Sequence, residues 1–591
     1  MLFYDFEVYK YNWMLSWLDT ETRKMYTIHD DVDKMVGFYN YYKDTIWVGY
    51  NSRQYDVWIA KAILGGFDPF EMNEWIIKRK MKGWQFSKSL NQFQILNYDA
   101  QVGFRSLKEL EAFMGHDIQE TNVPFDIDRP LTLKELELVK TYNQHDVWET
   151  FNVFIETKEE YESHIGLIQE FGLPIEMINK TKAQISAEIL GASQVKRRDE
   201  FDIILPNNLE LGKYEYIKDH FINWGENVQD YEEVKLETEV ADVPHVFAIG
   251  GIHGALNKYL GDGTYILADV SSYYPSSMVN YNYLSRNVSN PKKFEVILEE
   301  RFAMKAQKDP REYPRKIVLN STFGASKDQY NKLYDPRQAN NLCIANQLFM
   351  VDLIEKLEGH CQIIQSNTDG VLMKLFHKDD EPKIMQICSD WEKRTGFSLG
   401  YDKYVKVIQR DVNNYIMVAE DGYMERKGAV VKKLHPLDND LPIVNRAVVD
   451  YYTKGISPYD TIMASNDLID FQKITKISGK YEYGFHENKL GETHTFKRAS
   501  TNSRGEVIYI VEHYRGYKLH EKVHRCFASL DDNDGTVFKK HKDKTSLDKT
   551  ASTPEKSFID NGEITGKTVP KKLDRMWYIK EAERKIEEFL K

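Results

Sequence analysis

The alternation of apolar and polar positions divides the chain into strand-like and helix-like stretches, several of which end on acidic or amide side chains. Tyr4-Asp5-Phe6-Glu7-Val8-Tyr9 reads as a short apolar strand in which Asp5 and Glu7, two apart, share one face while Phe6 packs behind them. Like charges side by side repel, so a cation belongs between them and a divalent metal is the first candidate; for D-x-E alone a solvated edge strand is the plainer reading. At 48–64 a strand-like stretch runs through Asn51 to Tyr55-Asp56 and then into an apolar helical pattern. Asp56 thus stands at a helix start, a common place for a capping carboxylate as well as for a ligand. At 141–154, Tyr142 and Asp146 are four apart on one helical face, with Val147, Phe151 and Phe154 left for packing.

Beyond residue 250 the apolar strand Tyr265-Ile266-Leu267-Ala268 ends on Asp269 and enters a Ser/Tyr/Pro turn, which suits a turn-initiating or a catalytic aspartate. At 315–328, Ile317-Val318-Leu319 lead to Asn320-Ser321 and then Phe323-Gly324. At 361–375 two apolar strands flank Asn-Thr-Asp-Gly, a hairpin signal that puts Asp369 at the tip. Arg301 and Lys305 are four apart in a helical stretch, either a basic face for phosphates or a solvated charged surface.

At 591 residues the chain exceeds a single core and calls for about three to five domains. Its 42% hydrophobic and 29% charged residues are those of a globular protein, which excludes disordered and fibrous classes. The 13% aromatic fraction supplies core and stacking surfaces for bases. Cys343, Cys361, Cys388 and Cys526 form no C-x-x-C pair, which argues against zinc, iron–sulfur and disulfide frameworks. No apolar run approaches a membrane span and Asp5 comes too early for a signal peptide, so a cytoplasmic protein without a membrane partner is expected. The net charge of −12 is uneven: residues 515–591 hold 18 Lys+Arg against 14 Asp+Glu, a balance of +4, which leaves −16 for the rest. Lys539-Lys540, Lys571-Lys572 and Arg575 lie in this basic part, either as phosphate contacts or as a solvated mixed-charge surface.

In order, D-x-E, N-x-x-x-[FY]-D and Y-x-x-x-D within the first 150 residues resemble the motifs of the 3′–5′ proofreading exonucleases of DNA polymerases. The resemblance implies that Asp5, Glu7, Asp56 and Asp146 bind two divalent ions about 3.5–4 Å apart, that Tyr142 orients the attacking water, and that Asn51 and Tyr55 hold the frayed primer end. The later stretches resemble motifs A (D-x-x-S-L-Y-P-S), B (K-x-x-x-N-S-x-Y-G) and C (Y-x-D-T-D-S) of family B DNA polymerases of phage type. IGGIHGA at 249–255 is similar to the Gly-Gly segment between exonuclease and palm.

That resemblance implies a multidomain α/β and α+β fold: a ribonuclease-H-like exonuclease domain followed by a right-hand polymerase of palm, fingers and thumb. The expected bounds are 1–155 exonuclease, 156–248 connector and N-terminal palm, 249–290 palm with motif A, 291–328 short fingers, 329–428 palm with motif C, and 429–591 thumb and DNA-binding region. By the same resemblance, Asp269 and Asp369 bind the catalytic metals with help from the Val270 carbonyl. Ser272 and Tyr273 offer backbone N–H groups to the triphosphate, Lys316 binds it, and Arg301 with Lys305 forms a second triphosphate face. Tyr274 lies beneath the deoxyribose, Asn320, Phe323 and Gly324 line the nascent base pair, and Tyr415, Lys427 and Gly428 grip the primer.

The sequence departs from the family in three places. Asn367 replaces the first aspartate of motif C, Asn413-Asn414-Tyr415 stands where K-x-Y is usual, and only 47 positions separate Asp269 from Lys316. The short interval favours an ordinary nucleic-acid primer over the protein priming of relatives with long insertions. The implied cofactor is Mg²⁺, two ions per active site, with Mn²⁺ able to substitute. The implied partners are primer-template DNA, dNTPs, single-stranded DNA in the exonuclease site, and a replisome helicase or primase. The implied function is replication of phage or mobile-element DNA with proofreading. The alternative suggested by Asn367 is an exonuclease whose degenerate polymerase half binds DNA.

Overall fold

The computed structural model describes residues 1–224, 234–501 and 503–590; residues 225–233 of the expected connector lie outside them. The chain forms two compact units, one built from Met1–Tyr161 together with Leu434–Arg584, the other chiefly from Glu162–Lys433.

In the first unit, strands β1 (Leu2–Val8), β2 (Trp13–Asp19), β3 (Lys24–His29), β4 (Trp47–Gly49) and β5 (Asn97–Asp99) form a sheet in the order β3-β2-β1-β4-β5. β1 runs antiparallel to β2 and parallel to β4, which is parallel to β5. β1 is therefore central rather than an edge, and of its residues only Asp5 is less than fully buried. The helix Leu133–Glu156 covers it, with Phe3 edge-on to Phe151 and Phe154 at 5.1 Å. That helix starts where it does because Thr132 and Glu135 cap each other's backbone N–H groups.

The second unit is built on a nine-stranded antiparallel sheet. Its strands are β6 (Leu236–Val240), β7 (Val243–Ala248), β8 (Gly251–Ala255), β9 (Tyr259–Val270), β10 (Cys361–Ser366), β11 (Gly370–Leu375), β12 (Leu399–Asp411), β13 (Asn414–Val418) and β14 (Met424–Lys427), in the order β14-β13-β12-β9-β11-β10-β8-β7-β6. β8 carries most of the Gly-Gly segment and pairs with β10, Ser366 opposite Gly254. The helix Pro336–Leu357, buried along most of its length, supplies Ile344, Leu348 and Val351 to the core that holds Ile266, Ala268, Val371 and Met373. The helices Pro291–Ala306 and Glu312–Lys327 are tied together by Arg315 Nε donating to Glu300 at 2.7 Å and Arg301 Nε donating to Glu312 at 3.1 Å. The stretch expected to carry motif B is helical throughout.

The later segment of the first unit contributes β15 (Lys473–Lys476), β16 (Tyr481–Thr501), β17 (Val507–Leu519), β18 (Val523–Ala528), β19 (Asp534–His541), β20 (Leu547–Lys549) and β21 (Ser557–Ile559). β16 and β17 form a long antiparallel ribbon. Arg525 on β18 is fully buried and joins the two segments of this unit: it donates to the carbonyls of Ala112 and His116 at 3.1 and 2.8 Å and to those of Asp560 and Gly562 at 3.2 and 2.8 Å. Five guanidinium N–H groups suit such a set of carbonyls, and anything shorter would leave them unpaired. Of the basic residues expected to meet phosphates, Lys540 is spent on the carbonyls of His541 and Lys544, and Arg575 on those of Ile462 and Ser465. Among the described residues no helix is long and apolar enough to cross a membrane.

Candidate functional site

A cavity of about 930 Å³ in the first unit is lined by Asp5, Glu7, Asn51, Tyr55, Asp56, Tyr142 and Asp146, so all seven residues picked from three separate stretches of sequence meet in one place. β1 presents Asp5 and Glu7, the helix Asp56–Leu64 presents its first residue, and the helix Leu133–Glu156 presents Tyr142 and Asp146. Asn51 holds the left-handed conformation (φ 56°) that asparagine tolerates better than most residues. Carboxylate oxygens of Asp5, Glu7 and Asp146 lie within 4.8 Å of one another. The Phe6 N–H donates to Asp56 Oδ1 at 3.1 Å and Asn143 Nδ2 donates to Asp5 at 2.7 Å, which fixes the acids to their supports.

Burial first, then the mutual repulsion of the acids, holds Asp5 and Glu7 well above the usual carboxylate range. Burial also pushes Asp56 up to about 7, although the Phe6 N–H opposes the shift. Four carboxylates gathered this way stay charged together only with a cation among them. The all-oxygen donor set fits a hard divalent ion such as Mg²⁺.

Sequence reasoning missed Lys108. Its ammonium donates to Asp146 and, at 3.0 Å, to Glu111, and lies 4.7 Å over the Tyr142 ring. Burial works against its charge, yet Asp146 and Glu111 hold its pKa above the ordinary value. The only local signal was a lysine three residues before a glutamate, which is indistinguishable from a solvated helix face.

In the second unit Asp269, next to last in β9, lies directly opposite Gly370, the first residue of β11, and Asp369 precedes that glycine at the hairpin tip. The Val270 N–H donates to the Asp369 carbonyl at 2.7 Å and so ties the two strand ends together. A side chain at 370 would bring its Cβ to 2.9 Å from Asp269 Oδ1 and 3.2 Å from the Ala268 carbonyl, so glycine lets the two strands cross here without crowding Asp269. Asn367 Oδ1 accepts the Gly370 N–H at 2.9 Å, a turn-holding role that needs no negative charge. Burial, then Asp369, raises Asp269 to about 7, while Lys305 opposes the shift. Lys427 likewise bears on the charge of Asp369.

Ser272 (φ 51°) starts the helix Tyr273–Asn280, whose first-turn N–H groups have no acceptor within the helix. The Tyr273 side chain belongs to the core and donates its hydroxyl to the Asn346 carbonyl at 2.7 Å. Tyr274 is half-buried, its ring 4.4 Å from that of Phe323. Lys316 is partly exposed beside Tyr313, and Asn320 and Gly324 are exposed on the same helix.

Two expected roles are corrected. Arg301 does not share an open face with Lys305: it is buried, with its guanidinium spent on Ser272 and Glu312, while Lys305 is exposed. Tyr415 is not open to DNA, because β13 turns it into the sheet core, where its hydroxyl donates to Glu425 at 3.1 Å. Opposite Tyr415 on β14 stands Lys427, which is exposed. Gly428 follows with φ 108°, where a Cβ would lie 2.3 Å from Asn414 Oδ1.

No family model matches the chain, and no curated protein matches it. Among solved structures it is similar to the family B DNA polymerase from the hyperthermophilic archaeon Pyrobaculum calidifontis, 13% identical over 100% of this chain and 77% of that chain, with a TM-score of 0.41.

Proposed function

We propose that the chain is a template-directed DNA polymerase with its own 3′–5′ exonuclease. The observation that carries this reading is the presence of two carboxylate centres in separate units, the first sharing its cavity with Tyr142. The sheet order β3-β2-β1-β4-β5 suits a ribonuclease-H-like exonuclease, the nine-stranded sheet a palm, and the helix pair 291–327 short fingers. The short Asp269–Lys316 interval suits a replicative enzyme of a phage or mobile element working from a nucleic-acid primer.

In extension, the primer 3′-OH attacks the α-phosphate of a dNTP and pyrophosphate leaves. The N–H groups of Ser272 and Tyr273, with Lys316 and Lys305, hold the triphosphate, and Tyr274 lies under the sugar. Asp269 and Asp369, with the Val270 carbonyl, would hold Mg²⁺, which lowers the pKa of the attacking hydroxyl and neutralises charge on the phosphate. In degradation, Tyr142 orients a water toward the terminal phosphodiester, Asn51 and Tyr55 hold the strand end, and Lys108 fixes Asp146. Asp5, Glu7, Asp56 and Asp146 would hold the ions there.

Primer-template DNA incubated with Mg²⁺, with and without dNTPs, tests the reading. Extension with dNTPs and shortening without them is the expected result. Shortening alone would make the chain an exonuclease with a DNA-binding half, and neither activity would overturn the reading.

A further inference from the structure

Between Glu74 and Asp99 the chain carries Lys78, Arg79, Lys80, Lys82 and Lys88 and no acid, in a protein whose net charge is −12. All of these cations are exposed, and among the described residues only Lys78 has an ion-pair partner, Glu74 at 2.6 Å. Trp84 stands among them 58% exposed, with Ile77 and Met81 exposed before it.

The loop is fastened from beneath. The Trp75 indole N–H donates to the Lys82 carbonyl at 3.1 Å, and the Met81 N–H donates to the Trp75 carbonyl at 3.1 Å. Phe86 meets Trp75 and Phe67 edge-on at 5.6 Å, and Gly83 lies so close to Trp58 that a Cβ would come within 2.1 Å of its ring. Trp58, Trp75 and Phe86 thus pack against the core of the unit, while Trp84 is held out to solvent. The same loop borders the acidic cavity: Ile76, Ile77 and Lys78 line it, and Lys82 Nζ donates to Gln54, another lining residue, at 3.5 Å.

Cations crowded together without acids repel one another, and a polyanion relieves that repulsion. A solvated lysine surface has no use for a fixed, outward indole. A nucleic acid does, because an indole gives a base a face to stack on, and in a duplex those faces are already covered by neighbouring bases. Phosphates and unpaired bases together describe a single strand.

We propose that the surface formed by residues 78–88 is a track for single-stranded DNA, along which a strand lies as its 3′ end enters the carboxylate cavity. Trp84 stacks on an unpaired base, and Lys80, Lys82 and Lys88 meet phosphates. This rests on the exonuclease part of the reading above. The track adds affinity for strands long enough to reach it and nothing for those that fill the cavity alone.

Shortening of oligothymidylates about 3 and about 15 nucleotides long tests this, with binding of the longer strand read by fluorescence anisotropy in chelator. Lys80→Gln, Lys82→Gln and Lys88→Gln combined should weaken that binding about tenfold at low salt. They should also reduce the slope of log Kd against log salt concentration by about 2, since each phosphate contact on a single strand contributes about 0.7. Trp84→Ala should raise KM for the longer strand about tenfold with kcat unchanged, and Trp84→Phe should restore most of the loss. In no variant should kcat/KM for the shorter strand move more than about twofold. Native affinity and a native salt slope in the lysine variant would overturn the proposal, and this variant changes only exposed groups, so it decides the matter if Trp84→Ala does not fold. Equal losses on the two strands would overturn it as well, because the effect would then lie in the cavity. A native protein that shortens neither strand overturns the exonuclease reading and this proposal with it, whereas native shortening with unchanged KM, affinity and slope in the variants overturns this proposal alone.

Discussion

The two carboxylate centres are built by opposite means. In the first unit the acids come from three elements and line one cavity with little of each exposed, with a buried lysine, Lys108, as counter-charge. In the second unit Asp269 and Asp369 stand at the open ends of paired strands, and the cations that bear on them, Lys305 and Lys427, are exposed. Burying like charges costs stability unless a fixed partner or an ion is present, while an exposed partner adds little. The first centre therefore burdens its unit unless Lys108 or an ion balances it, and the second is a surface device whose parts can be altered with little structural loss.

The separation can be broken outright. Asp5→Ala with Glu7→Ala should lower degradation of single-stranded DNA at least about a thousandfold and leave extension unchanged, while Asp369→Ala should do the reverse. Gel assays of both activities on both proteins check this, and joint loss in either one would show that the centres are not independent.

Next in size is the counter-charge. Lys108→Met leaves Asp146 and Glu111 buried together and should destabilise the first unit by about 3–5 kcal/mol in urea unfolding. Lys427→Met, its exposed counterpart, should shift unfolding by less than about 0.5 kcal/mol. Equal losses would erase the distinction drawn above.

Acidity sharpens it further. Asp56 is pushed to about 7 in the folded chain, against about 3.9 unfolded, so the native state holds its proton more tightly. Its contribution to stability is complete below the unfolded value and is lost as pH rises through about 7. In chelator, the melting temperature of the native protein should fall relative to that of Asp56→Asn between about pH 5 and about pH 8, and Mg²⁺ should restore more of it at the upper end. A native protein that gains on the variant across this window would contradict the assignment.

The smallest effects belong to Asn367 and Tyr415. Asn367→Ala removes the acceptor of the Gly370 N–H, which should cost about 1 kcal/mol and reduce extension less than about tenfold, far short of Asp369→Ala. Tyr415→Phe should cost about 0.5–1.5 kcal/mol through the lost bond to Glu425 and leave primer-template affinity unchanged in a binding titration.

What could be read from the sequence was whatever repeats over two or four positions. The spacing of Asp5 and Glu7, and of Tyr142 and Asp146, fixes a shared face locally, and the structure adds only their convergence. The Asn-Thr-Asp-Gly turn announced its hairpin for the same reason. Spacing does not say which face turns inward. Arg301 and Lys305 satisfy the same four-residue rule, yet the helix turns Arg301 into the protein. Lys108 and Glu111 carry the signature of a solvated surface, and only the packing of their helix buries them. Tyr415 lies on a strand with a buried side that no local pattern distinguished from a DNA-facing one. The bonds from Arg525 to Ala112 and His116 join positions some four hundred residues apart and leave no local trace.

Those last bonds bear on the order of events at the ribosome. Residues 162–433 are made between the two segments of the first unit, so at ~5–20 residues per second the opening segment waits on the order of tens of seconds for Arg525 to emerge. Until then the carbonyls of Ala112 and His116 lack their guanidinium, and the chain around Lys108 lacks the strand it will pack against. The second unit, which is nearly continuous in sequence, can mature first. Nascent chains halted before Arg525 should thus have a protease-resistant middle and a vulnerable beginning, the reverse of the usual amino-to-carboxyl progression of folding.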